Sequence, residues 1–130
     1  MLKTIGIDHV NIQVQNLQES YQFYKKLFGF EILKNQPEEN SYIIGNENTK
    51  ICLYEVSNLP KYNRSNGGFN HFSIIVENFD DVLELCKKLG VYIWHGGHIV
   101  KWEKSRSIYI DDPNGYNIEI GDVWGGGLTE

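Results

Sequence analysis

The sequence predicts an α+β domain: two repeated βαβββ modules forming a cup-shaped, partly open mixed sheet with helices outside. Three observations lead there. Ile7-Asp8-His9-Val10-Asn11-Ile12-Gln13-Val14-Gln15-Asn16 lies over Phe69-Asn70-His71-Phe72-Ser73-Ile74-Ile75-Val76-Glu77-Asn78, matching His9 to His71 and Asn16 to Asn78. The register continues without a gap until Lys25-Lys26-Leu27 meets Lys87-Lys88-Leu89. In each copy an alternating apolar run gives way to helical spacing and then to short strand-like runs. A repeat of about 62 residues in a short domain marks a doubled supersecondary unit.

Taken in order, Val10, Ile12 and Val14 alternate with polar residues, the period of a strand with one apolar face. From Leu17 to Phe28 the apolar residues Leu17, Tyr21, Tyr24 and Phe28 fall at helical spacing, with Asn16 as N-cap and Gly29 as C-terminal stop. Strands are expected at Glu31–Lys34, Ser41–Gly45 and Lys50–Val56, divided by Pro-, Asn- and Gly-containing turns. Leu59–Gly68 reads as the hinge between copies. The second copy repeats the order. Phe69–Val76 is a strand, Asn78 a cap and Phe79–Leu89 a helix stopped by Gly90; strands follow at Val91–Trp94, Ser105–Ile110 and Tyr116–Ile120.

The 130 residues make one domain, in which each module needs the other to complete a core. Its first module covers about 1–60, its second about 67–122 and a loose tail 123–130. A net charge of -5, with the lysines paired on helix faces and scattered in loops, speaks against a nucleic-acid partner. No apolar run approaches the roughly 20 residues needed to cross a bilayer, and the first residues lack the apolar core of a signal peptide. Cys52 and Cys86 do not form a disulfide framework, so a cytoplasmic, reduced protein is expected.

With the apolar alternates packed on helices, the opposite sheet face carries His9, Asn11 and Gln13, then His71 and Ser73, then Ser107, Tyr109, Asn117 and Glu119. Cys52 and Tyr54 fall on the same side of their strand. Such a face suits a binding cup better than packing. His9, His71 and Glu119 compose a two-histidine, one-carboxylate set, which suits zinc, nickel, manganese or ferrous iron and leaves positions open. A lone strand histidine is usually structural; the repeat symmetry is what makes this pair a ligand candidate. Asp111-Asp112-Pro113-Asn114-Gly115 is first of all a tight turn. His95 and His98, around Gly96-Gly97, read as exposed loop residues, and Cys86 reads as core. Trp94, Trp102 and Tyr109 are candidates for either a pocket wall or an apolar interior.

The doubled βαβββ order, the two strand-borne histidines and the closing run Tyr109-Ile110-Asp111-Asp112-Pro113-Asn114-Gly115-Tyr116-Asn117-Ile118-Glu119 together resemble the vicinal oxygen chelate superfamily. That group takes in glyoxalase I, bleomycin-resistance proteins, fosfomycin-resistance enzymes and extradiol dioxygenases. The resemblance runs from Ile5 to Ile120 and implies one divalent metal ion held by His9, His71 and Glu119, often across a homodimer with paired modules. It implies a metal-dependent lyase, isomerase or dioxygenase acting on a small oxygen-bearing substrate. Ser107 and Tyr109 would orient that substrate, backed by Asn11, Cys52, Tyr54, Ser73 and Asn117.

Departures narrow the choice. Glyoxalase I needs a fourth ligand, a carboxylate on the strand Lys50–Val56; the matching position is Cys52, with Glu55 on the other face, and Gln13 stands where an arginine is expected. The fosfomycin-modifying enzymes share the Ser-x-Tyr pattern at Ser107 and Tyr109, yet Asn11 replaces their threonine, and Gly121–Gly127 contains no Lys or Arg to meet a phosphonate. The rival from another class is a non-catalytic binding protein of the bleomycin-resistance type, which sequesters its ligand; the intact ligand set weighs against it.

Overall fold

The alternation near the start of the chain becomes strand β1 (Val10–Val14), with Ile12 and Val14 buried and Asn11 and Gln13 exposed. The computed structural model describes residues 1–128, which fall into two units that part after Pro60.

In the first unit, helix α1 (Leu17–Phe28) has the bounds that its caps dictate. The Asn16 side chain accepts a hydrogen bond from Glu19 N at 2.9 Å, and Gly29 turns left-handed at φ 71°, donating its N–H to Lys25 O. Replacing Asn16 with alanine is expected to lower stability by about 1 kcal/mol, with Asn16→Asp neutral, as read by urea unfolding. Strands β2 (Glu31–Gln36), β3 (Ser41–Gly45) and β4 (Lys50–Glu55) complete a sheet ordered β1-β4-β3-β2. β1 runs parallel to β4, and the remaining pairs are antiparallel. α1 packs on β3 and β4, and the core gathers Ile12, Val14, Tyr24, Phe30, Ile44, Ile51 and Leu53.

The second unit repeats this plan. β5 (His71–Ile75) leads through a 3-10 turn at Phe79–Asp81 into α2 (Val82–Leu89), and Gly90 closes the helix at φ 71°. The expected cap Asn78 bonds the Asp81 side chain and not a helix N–H, and the first turn is 3-10, with Asp81 N donating to Asn78 O at 3.0 Å. β6 (Val100–Lys101), β7 (Arg106–Asp111) and β8 (Asn117–Gly121) give the order β5-β8-β7-β6, again with one parallel pair, β5 with β8. Ile74, Phe79, Val82, Cys86, Ile108, Ile110, Ile118 and Ile120 are buried.

One local expectation changes. Val91–Trp94 makes no ladder strand; it contributes a single bridge, Ile93 to Ile110, because His95, Gly96 and Gly97 all take positive φ and turn the chain away. Val100–Lys101 takes the sheet edge beyond that turn. The segment read as a hinge folds back on the second unit: Tyr62 N donates to Asn114 O at 2.7 Å, and the Tyr62 hydroxyl donates to Phe69 O at 2.8 Å. In the segment expected to be a loose tail, Trp124–Gly127 forms a 3-10 turn with Gly127 buried, while Thr129 and Glu130 lie outside the described residues. Among the described residues no helix is long and apolar enough to cross a membrane.

Candidate functional site

Strand register assembles the polar face of the second unit. Across β5, β8 and β7 the rungs read His71, Asn117, Asp111 and then Ser73, Glu119, Tyr109, with Gly121 opposite Ser107 beyond them. A slip of one residue in β8 would turn Glu119 into the core and Ile118 out of it, so the buried isoleucines fix the position of the carboxylate.

The side chains meet where the rungs place them. His71 Nε2 lies 2.9 Å from Glu119 Oε1, the two side chains being 31% and 21% exposed. Glu119 Oε2 accepts a 2.6 Å hydrogen bond from Ser107 Oγ, and Ser107 Oγ in turn accepts from Trp102 Nε1 at 3.2 Å. The Tyr109 ring stands edge-on to His71, centroids 5.7 Å apart, and to His95 at 5.4 Å. Burial, followed by the charge of Glu119, raises the Tyr109 phenol above its usual range, so at neutral pH it is a hydroxyl donor and not a phenolate. Asn117 donates through Nδ2 to Ile110 O at 3.0 Å and accepts from Arg64 Nη1 at 3.3 Å. Ser73 is exposed beside Glu119 on the adjacent strand.

The first unit carries the other expected residues on its own polar face. His9 stands exposed just before β1 with Nδ1 2.7 Å from Asp8 Oδ2. Asn11 lies opposite Cys52, and Gln13 opposite Tyr54, whose hydroxyl donates to Glu39 Oε2 at 2.9 Å. The rung Asn11, Cys52, Ile43 occupies the place that Ser73, Glu119, Tyr109 holds in the second unit. Cys52 therefore stands where the twin carboxylate would be, and Glu55, at the strand end, instead accepts from Leu17 N at 2.9 Å. Among the described residues no group of three His, Cys, Asp or Glu side chains gathers for one ion; the pair brought together is His71 with Glu119.

Both thiols are pushed toward the neutral form. Burial raises Cys86 to about 11, and burial followed by the charge of Asp8 raises Cys52. At near-neutral pH the expected result is slow alkylation of Cys52 in the native protein and labelling of Cys86 only on unfolding. Rapid native labelling of either, read by mass spectrometry, would contradict that assignment.

One contributor, Arg64, was not singled out in sequence, whereas Trp102 was, as a candidate pocket wall. Trp102 is 54% exposed yet anchors Ser107, and Arg64 reaches the site from the linker. Trp102 had the signal of an aromatic residue near a polar strand; Arg64 had none, since it sits outside every periodic segment.

The donor chemistry fits a divalent ion. A neutral imidazole nitrogen and a carboxylate oxygen facing each other at 2.9 Å need either a shared proton or a cation between them. His71 and Glu119 would supply one nitrogen and one oxygen of the kind borderline divalent ions accept.

Two βαβββ units, one bearing a paired histidine and glutamate on its polar sheet face, define a doubled-module protein. The model of the Glyoxalase/Bleomycin resistance protein/Dioxygenase superfamily matches residues 6–120, and the chain belongs to that superfamily. Metallothiol transferase FosB of Staphylococcus epidermidis is 30% identical over 121 residues, covering 92% of this chain and 82% of that one. Catechol-2,3-dioxygenase of Bacillus subtilis is 28% identical over 120 residues, 88% of this chain but only 40% of the dioxygenase. The fosfomycin resistance protein FosX of Listeria monocytogenes shares the fold, with a TM-score of 0.76 over 97% of this chain and 100% of that chain at 21% identity.

Proposed function

We propose that this protein is a metal-dependent enzyme acting on a small oxygen-bearing molecule, with His9, His71 and Glu119 as ligands of one divalent ion. The observation that supports this reading is the His71 Nε2 to Glu119 Oε1 approach at 2.9 Å on a half-exposed sheet face. When bound, the ion would polarise a substrate oxygen or lower the pKa of a water. His9, on the first unit's own polar face, is the remaining nitrogen ligand that the family resemblance implies, and a homodimer is the assembly in which that resemblance pairs such modules.

The chain's own groups divide the remaining work. Tyr109, kept as a neutral hydroxyl, orients the substrate by donating a hydrogen bond beside Glu119. Ser107 was expected to touch substrate, but its Oγ donates to Glu119 and accepts from Trp102, so we assign it to holding the carboxylate. The polar rungs of Asn11 and Ser73 offer further hydrogen-bonding partners on each unit. The similarity to a metallothiol transferase and to a dioxygenase supports an enzyme over a sequestering protein and leaves lyase, isomerase, transferase and dioxygenase chemistry to a substrate screen.

The test is elemental analysis of protein purified without chelators or a histidine tag. About one zinc, nickel, manganese or iron per chain is expected, lost in His9→Ala and in His71→Ala. Full metal content in both variants would sink the proposal. Protein that takes up no ion but binds a planar aromatic compound stoichiometrically would favour the sequestering alternative.

A further inference from the structure

Each candidate ligand histidine is preceded by a residue whose side chain engages its far nitrogen. Asp8 Oδ2 lies 2.7 Å from His9 Nδ1, and Asn70 Oδ1 lies 2.6 Å from His71 Nδ1. A carboxylate only accepts, so His9 carries its proton on Nδ1. For Asn70 the amide must first be oriented, since its oxygen and nitrogen are easily exchanged in assignment. Arg64 settles that: its Nη1 is 2.8 Å from the same Asn70 atom, and a guanidinium has donors and no acceptor. The atom between Arg64 and His71 is therefore the amide oxygen, and His71 too must donate from Nδ1.

The guanidinium that imposes this orientation is itself held in place. Its Nη1 also donates to Asn117 Oδ1 at 3.3 Å, and its carbon stands 4.4 Å from the centre of the Trp94 ring. Arg64 opens a 3-10 turn, Arg64–Asn66, that is capped by Asn63 and follows Tyr62, which is tied to Asn114. The linker thus delivers a cation to the back of His71 while Glu119 faces its front.

We propose that Asp8 and Asn70 are positioning residues that keep a proton on Nδ1 of both histidines and so leave Nε2 as the nitrogen for an ion, and that Arg64 sets the Asn70 amide so that His71 keeps its Nδ1 proton. The inference rests on the metal-ligand reading of His9, His71 and Glu119 for its purpose, though the Nδ1 protons themselves belong to the metal-free chain, where the His71 Nε2 to Glu119 Oε1 contact also holds a proton that an incoming ion would displace. Partners of this kind on the second imidazole nitrogen commonly change metal affinity by 10–100-fold. The two histidines are not equivalent in this respect. Asp8 offers a charged acceptor to His9, whereas Asn70 offers a neutral one backed by a cation, so His9 becomes the more electron-rich ligand.

The experiment is nitrogen-15 NMR of the imidazole rings in metal-free protein, paired with zinc titration, for the wild type and for Asn70→Ala, Arg64→Met and Arg64→Lys. The wild type should show His71 protonated on Nδ1. Asn70→Ala should give a mixture of tautomers and zinc affinity weaker by about 10–100-fold. Arg64→Met, at a half-buried position on a surface turn and checked for folding by urea unfolding, should shift the tautomers in the same direction with a smaller affinity loss, and Arg64→Lys should keep the wild-type ring signature. An unchanged His71 tautomer in both Asn70→Ala and Arg64→Met would overturn the proposal. A wild type with the Nδ1–H signature that takes up no zinc would instead overturn the metal-ligand reading, with the tautomer assignment standing.

Discussion

Glu119→Gln should lower affinity for a divalent ion by about two to three orders of magnitude while leaving the fold almost as stable as before. The glutamine keeps the volume of the side chain and one oxygen able to accept from Ser107, so neither packing nor shape explains a loss. What disappears is the only carboxylate on the second unit's rung of Ser73, Glu119 and Tyr109, and with it the negative charge that offsets a dication. A hundredfold change in affinity corresponds to about 2.7 kcal/mol and a thousandfold change to about 4 kcal/mol. Stability responds little, because the contact with His71 is partly exposed and such pairs are commonly worth under about 1 kcal/mol. Ser107→Ala should fall between, about tenfold weaker, since it frees the carboxylate without removing it. Calorimetric titration with zinc or nickel beside urea unfolding reads both quantities. Wild-type affinity in Glu119→Gln would remove Glu119 from the ligand set.

Much of this arrangement is written locally in the chain. Leu17–Phe28 has the bounds expected of it because both ends carry their own chemistry, the Asn16 cap and the left-handed Gly29. The gapless repeat does not reach as far as Glu119, and it is the strand register that sets Cys52 on the rung equivalent to it. Val91–Trp94 misleads because apolar β-formers predict a strand wherever they cluster, whereas the turn at His95–Gly97 limits that run to one bridge. Ser107 was legible as a polar-face residue; which group it bonds depends on Trp102 reaching across from the β6–β7 turn. Arg64 was illegible for a different reason. Its place depends on the linker folding back through Tyr62, a long-range event with no periodic signal in the residues around it.

That same fold-back makes Asp112→Ala the substitution expected to cost most in stability. Asp112 is 5% exposed, and its Oδ1 accepts from both Asn114 N and Tyr116 N at 2.9 Å. Its own N–H donates to Tyr116 O at 2.9 Å, and Gly115 N donates back to Asp112 O at 3.1 Å, so the carboxylate closes the turn that starts β8. Gly115 sits at φ 88° with a missing Cβ that would come within 2.7 Å of Tyr62 O, which lets the linker lie directly on this turn. Hydrogen bonds to a charged group contribute roughly 1.5–3 kcal/mol each, and two on one oxygen are not additive, so the loss should be about 3 kcal/mol. For a chain of this size that is a fall in Tm of roughly 10 °C, with the urea m-value unchanged. Asp112→Asn keeps one accepting oxygen and should lose about half as much. The damage should also reach the site, because Tyr62 N bonds Asn114 O and the linker beyond it carries Arg64 to Asn70. A drop in zinc affinity within the folded fraction of Asp112→Asn is therefore expected. Unchanged urea midpoints in both variants would mean that the turn is held by its backbone and its Pro113 and Gly115 alone, with the carboxylate dispensable.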